Sequence, residues 1–293
     1  MTRFLFWNLN GPAAAAERNK GKVRPLLPTD PRYRRLRRAL RILVARHDAD
    51  VVILAESPFE GQADVPGFAE ARTTLLPNRT TRTRLEVYHR GTVVFTGFET
   101  VSRAILHDME VVASGRRILL VSAHLDSPLR LDERMRARKV VEFASDIDIR
   151  NREESLGHTD TVVVGDLNYD PQDAPIATID GLNAVPSKAV ARRLVSKDRR
   201  SEYPYFYNPM WAHLTDITGD LPGSYFRPPD SVYGRVWHLP DQVLIRPSLL
   251  PSWEDADLHV CSAAGKINLL DGGGRPDVMR FSDHLPIVFQ LDL

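Results

Sequence analysis

Five short apolar runs, each with a polar residue at one end that a core does not want, constrain this chain more than any other feature. Phe4 to Trp7 runs into Asn8 and Asn10, Asp50 to Glu56 ends in an acid, Arg117 to His124 ends in an imidazole, Thr161 to Gly165 leads to Asp166, and Asp241 opens the run to Ile245. Short runs of Val, Ile, Leu and aromatic residues closed by Gly or Pro predict buried strands. Strand side chains alternate, so residues two apart share a face about 6.5 Å apart. Asn8 and Asn10 form one such pair, and Asp166 and Asn168 another. A chain built this way folds into sheets whose ends present polar groups.

The remaining pattern fits an α/β protein. Asp30 and Pro31 predict a helix start, and Tyr33, Leu36, Leu40, Leu43 and Val44 recur at helical spacing over 31–47 with an Arg-rich outer face. Residues 132–150 read as a second helix, with Ala137, Val140, Val141, Ala144 and Ile147 on one stripe. Further β-like runs are Leu85 to His89, Thr92 to Phe95, Val111 to Ala113 and Leu285 to Leu291, the last confident strand. The pattern loosens after about 185 around the aromatic cluster Tyr203, Tyr205, Phe206, Tyr207 and Trp211, which packs an insertion onto a sheet or stacks bases. With no repeat and no Ser/Gly-rich linker, the 293 residues are expected to form one domain, 1–293, with many β-to-β connections.

Composition narrows the setting. No apolar run approaches the ~20 residues of a membrane span, and Phe4 to Trp7 is too short for a secretory segment. The one cysteine, Cys261, excludes an intrachain disulfide and fits a cytoplasmic location, with a buried, inert thiol. Net charge is +1, but Glu17 to Arg46 holds eleven Lys or Arg against two acids; that local +9 leaves −8 for the rest. A basic segment on a mildly acidic body suits a phosphate-bearing substrate, although such a run is also what a solvated helix face looks like. Arg18, Lys20, Lys22 and Arg24 follow the first strand and are candidate phosphate contacts.

The polar strand ends match one chemistry. A phosphodiester is anionic and repels hydroxide, so its hydrolysis needs a hard cation, a group that orients and deprotonates water, and donors for the phosphate oxygens. Glu56 and Asn8 are suitable hard ligands, Asp166 a water-orienting acid, and Asn168 and Asn10 uncharged donors. His284 with Asp241 fits an imidazole oriented by a buried acid, and His124 could meet the phosphate or the leaving oxygen.

The ordered strings W-N-L-N-G (7–11), L-A-E (54–56), S-A-H-L (122–125), G-D-L-N (165–168), D-Q-V-L (241–244) and S-D-H-L-P-I (282–287) resemble the endonuclease/exonuclease/phosphatase superfamily over nearly the whole chain. The resemblance implies a four-layer α/β/β/α sandwich, two packed mixed β-sheets with helices on the outer faces. It implies a magnesium site (manganese as substitute) at Asn8 and Glu56, with Asp283 as a further ligand. It also implies catalytic roles for His124, Asp166, Asn168, Asp241 and His284. His124 matches the pancreatic deoxyribonuclease-like members. Gly165 to Tyr169 echoes the inositol polyphosphate 5-phosphatases, but Asp170 replaces their arginine, and Trp237-His238-Leu239-Pro240-Asp241 replaces their Trp-Cys-Asp-Arg string.

The expectation is a metal-dependent phosphodiesterase acting on nucleic acid. The alternative is an esterase of a small or lipid-linked phosphate, inositol-phosphate or sphingomyelinase-like, and a third class is a binding module without catalysis. No obligate protein partner is expected.

Overall fold

The computed structural model describes the chain outside residues 11–25, 60, 62, 69–73, 76–83, 102, 126–133, 136–147, 194, 199–200, 215–220 and 228–235. Thirteen strands make the two main sheets: β1 (Thr2–Asn8), β2 (Val51–Ala55), β3 (Thr74–Leu75), β4 (Arg84–His89), β5 (Val93–Val101), β6 (Ala104–Val111), β7 (Arg117–His124), β8 (Thr161–Asp166), β9 (Ala184–Val185), β10 (Phe206–Tyr207), β11 (Asp241–Ile245), β12 (His259–Val260) and β13 (Ile287–Leu291). One sheet has the order β12-β13-β1-β2-β4-β3 and the other β5-β6-β7-β8-β11-β10-β9. Each is mixed. β1 runs parallel to β2 and antiparallel to β13, while β8 runs parallel to β7 and antiparallel to β11.

The alternation of side chains builds the layers. Leu120, Val162, Val164, Val243 and Ile245 face a large core shared with Phe4, Phe6, Ile53 and Phe289 of the first sheet. Their neighbours Leu119, Val121, Val163 and Leu244 point the other way, into a smaller core closed by Ile149. Ile149 belongs to helix α2 (Asp148–Leu156). Helix α1 (Pro31–His47) adds Tyr33, Leu36, Leu40 and Leu43 to the larger core. The result is the four-layer α/β/β/α sandwich. Asp30 caps α1 by accepting from the Arg32 amide at 2.7 Å, as Asp before Pro predicts.

Several expectations shift. The described second helix begins at Asp148 and runs on to Leu156, past the expected end at 150, and Ala137, Val140, Val141, Ala144 and Ile147 lie outside the described residues. Val111 to Ala113 is no separate strand: Val111 ends β6 and a turn follows, closed by the Gly115 amide donating to Val111 O at 2.8 Å. The run from Thr92 lengthens into β5, through Val101. The aromatic cluster packs, as one of its two readings had it: β10 joins the sheet between β9 and β11, and the Arg246 guanidinium lies 3.8 Å from the Phe206 ring. Cys261 is buried with its Sγ 3.8 Å from His47 Nε2. Among the described residues no helix is long and apolar enough to cross a membrane.

Candidate active site

Strand register assembles the site. In the second sheet Asp166 stands directly opposite His124 on one side and Asp241 on the other. Three polar side chains from three strands are thereby set in one row at the sheet end. Gly165 permits the close approach of β7 and β8 there, because a Cβ at 165 would meet Ala123 O at 1.9 Å. In the first sheet Asn8 stands opposite Ala55, so Glu56 follows at the next step.

The two sheets meet through these ends. Asn8 Nδ2 donates to Asp166 Oδ2 at 2.9 Å, and Trp7 Nε1 donates to His284 O at 2.9 Å. Ser282 Oγ donates to Asn8 O at 2.7 Å and accepts from the His284 amide at 3.1 Å. His124 Nε2 lies 3.7 Å from both Glu56 Oε1 and Asp166 Oδ2. His284 Nδ1 meets Asp241 Oδ2 at 2.8 Å, while its Nε2 lies 4.0 Å from both Asp166 Oδ2 and Asp283 Oδ1. Ser224 Oγ donates to the same Asp241 oxygen at 2.5 Å. Asn168 donates its amide to Asp166 Oδ1 and its Nδ2 to Leu125 O, each at 2.9 Å. The Asn10 amide donates to Asn8 Oδ1 at 3.0 Å.

Asn8, Glu56, His124, Asp166, Asn168, Asp241, Asp283 and His284 are thus one cluster, with Asn10 at its edge. Arg18, Lys20, Lys22 and Arg24 lie outside the described residues. Three residues at the ends of β1, β2 and β8, Asn10, Glu56 and Asn168, have left-handed backbones, with φ of 41°, 47° and 57°. Asn tolerates that region, but Glu rarely adopts it, and such strain concentrates where a side chain must be aimed.

Electrostatics follow from burial. Asp166 is 2% exposed, and loss of water raises its carboxyl above the usual range against the lowering pull of His284. Burial alone would disfavour charge on His284, but Asp241, Asp283 and Asp166 outweigh it and raise the imidazole to about 10. The ring is therefore a cation at neutral pH. Donor atoms of Asp166, Asp241 and His284 all lie within 4.8 Å of one another, and all three residues are buried. Asp241 Oδ1 is buried with no hydrogen-bond partner among the described residues. His284, itself a cation, would not be a ligand, but the carboxylates of Glu56, Asp166 and Asp283 gathered with the Asn8 amide around it fit a hard divalent cation.

Four contributors escape sequence reading. Arg32 Nε donates to Phe281 O at 2.7 Å and its NH2 to Asn10 O at 2.8 Å, so α1 clamps the two loops that carry Asn10 and Asp283. The Arg-rich composition of α1 hid this one inward guanidinium. Ser224 and Tyr225 come from a segment without periodicity; Tyr225 packs against His284 with centroids 4.7 Å apart and ring planes tilted by 38°. Glu86, fully buried, accepts from Ser57 Oγ at 2.7 Å, Tyr88 OH at 2.7 Å and the Gly61 amide at 2.9 Å, holding the turn after Glu56. A lone acid within an apolar strand was the only available signal for it.

This sandwich, with acids, amides and an Asp–His pair gathered at the joint end of its sheets, defines a phosphoesterase class of fold. The chain belongs to the Endonuclease/Exonuclease/phosphatase family, whose sequence profile matches residues 5–284. Members of that family are phosphoester hydrolases. Similar solved structures include the mannosyl-6-phosphatase Bt3783 of Bacteroides thetaiotaomicron VPI-5482, at 11% identity and TM-score 0.59, covering 100% of both chains. The catalytic domain of human Nocturnin is similar at 14% identity and TM-score 0.58, covering 99% of this chain and 94% of that one. The TDP2 of D. rerio, complexed with single-strand DNA product, is similar at 16% identity and TM-score 0.55, covering 100% and 99%. These identities speak for the fold alone. No curated protein matches the sequence.

Proposed function

We propose that this protein is a magnesium-dependent phosphodiesterase that hydrolyses nucleic-acid phosphodiester bonds by in-line attack of water, with manganese as a substitute. The observation that carries the reading is the meeting of Glu56, His124, Asp166 and His284 from four segments, each 3.7 to 4.0 Å from the next. Asn8 and Glu56 would hold the cation, with Asp283 as a further ligand beside them. Such a cation neutralises the phosphate and draws charge from its oxygens when bound. Asp166 orients the attacking water and takes its proton. Its burial supports this, since a raised carboxyl is a stronger base. Water oxygen bonds to phosphorus, the ester P–O bond breaks, the leaving oxygen takes a proton from solvent, and Asp166 returns its proton to solvent. His284, kept charged and in place by Asp241, stabilises the negative charge gathering on the phosphate oxygens. Asn168 and Asn10 donate to those oxygens, and His124 meets the leaving oxygen. Catalysis by these groups is the reason so many buried polar side chains are kept in one place.

The polymer choice rests on helix α1, which carries seven arginines and no acid. Arg34, Arg37, Arg38 and Arg41 line one shallow groove on it. Guanidinium groups recognise phosphates, so a polyanion is the fitting partner. Cleavage of plasmid, single-stranded DNA or RNA with magnesium, lost on adding a chelator, is the expected result; no cleavage of any of them overturns the nuclease reading. The G-D-L-N-Y string and the net charge of +1 favour a second reading, an esterase of a small or lipid-linked phosphate. Release of inorganic phosphate from small esters, without polymer cleavage, would establish it.

A further inference from the structure

A row of rings leads away from the site and has no task in the chemistry above. Tyr225 stands opposite His284 in one antiparallel bridge and opposite His238 in another. Directly opposed residues share a sheet face. The rings approach accordingly, Tyr225 to His284 at 4.7 Å and Tyr225 to His238 at 6.5 Å between centroids. At the far end His238 Nδ1 meets Asp170 Oδ2 at 2.8 Å. Asp170 is itself fixed by the Leu239 amide, which donates to Oδ1 at 2.7 Å. The pair repeats the Asp241–His284 arrangement with one difference: its imidazole is open to solvent, at 25% exposure against 10% for His284.

A tie between the two loops needs only the Leu239–Asp170 bond. The exposed imidazole adds a group aimed by a buried acid, with Nε2 as its working atom. Two strand spacings, about 10 Å, separate His238 from His284. His238 therefore does not serve the phosphorus that His284 serves, and meets a neighbouring group of the same substrate.

We propose that His238, oriented by Asp170 and walled by Tyr225, is a binding subsite for the phosphate adjoining the scissile one. This rests on the nuclease reading and deepens it: the substrate is one with phosphates in series, not an isolated ester. An imidazole has two ring nitrogens, so one can face the Asp170 carboxylate while the other meets a phosphate oxygen.

The test compares three substrates: a short single-stranded oligonucleotide, the same oligonucleotide with uncharged methylphosphonates flanking one phosphodiester, and bis(p-nitrophenyl) phosphate. His238→Gln is expected to raise KM for the native oligonucleotide about tenfold, with kcat nearly unchanged. It is expected to leave the other two substrates unaffected. Asp170→Asn moves the same constant in the same direction. Equal losses on all three substrates, or no loss on any, overturn the subsite while leaving the nuclease reading intact. Hydrolysis of bis(p-nitrophenyl) phosphate by the wild-type protein without cleavage of either oligonucleotide overturns both. Thermal unfolding of each variant separates a lost contact from a lost fold.

Discussion

Asp166 gathers four residues of the site: Asn8 and Asn168 donate to it, and His124 and His284 flank it at 3.7 and 4.0 Å. Asp166→Asn keeps the shape and removes the base, and His284→Ala removes the charge opposite. Each is expected to lower turnover by at least about 10²-fold with little change in the far-ultraviolet circular dichroism spectrum. Retained activity in both variants contradicts the assignment. The raised imidazole also makes stability depend on pH. Its charge stabilises the metal-free fold fully below the unfolded value of 6.5, and the effect is lost as pH rises through about 10. In chelator the melting temperature should therefore fall across that window, and His284→Ala should flatten the slope. At this scale the sequence was a good guide where a polar residue ended an apolar run, as at Glu56, His124 and Asp166. It was silent on Tyr225, which bridges to His284, and on Ser224, which bonds Asp241, long-range pairings that no local pattern encodes.

The elements explain how those residues are aimed. β2 ends in a left-handed Glu56, and the turn beyond it is held by Glu86 through Ser57, Gly61 and Tyr88. Glu86→Gln exchanges one acceptor for a donor in a buried network and should cost about 1–3 kcal/mol of stability. Because the same network steadies Glu56, the variant should also need more magnesium for half-maximal rate while keeping kcat at saturating metal. Unaltered metal demand would make Glu86 a purely structural acid. β1, β2, β7, β8 and β11 were readable because they are buried on both faces and so nearly all apolar. β6 was not, because His107, Asp108 and Glu110 interrupt its pattern. Those residues are accommodated by partners from afar: Arg152 of α2 pairs with Asp108, and His107 packs against Phe95 with centroids 4.5 Å apart.

Across the whole molecule, Asn8–Asp166 joins the two sheets and Trp7–His284 ties the first strand to the loop before the last, so the site exists only when both sheets are complete. The basic face of α1 lies on the outside, its apolar residues spent on the core. If it guides a polymer, replacing Arg34, Arg38 and Arg41 with Gln should weaken oligonucleotide binding and flatten its dependence on salt, with hydrolysis of bis(p-nitrophenyl) phosphate unchanged. The order of motifs along the chain let the sandwich be anticipated; the pairing of β1 with β13, and of β8 with β11, arises from contacts between distant segments and had to be seen. The central claim is that separate strand ends converge on one cation and the phosphorus beside it. Its most direct test is a magnesium titration of bis(p-nitrophenyl) phosphate hydrolysis by the wild-type protein and Glu56→Gln. The account predicts a rate that vanishes in chelator, returns with magnesium, and in the variant needs far more metal to recover; undiminished hydrolysis in chelator, or superimposable titrations, would contradict it.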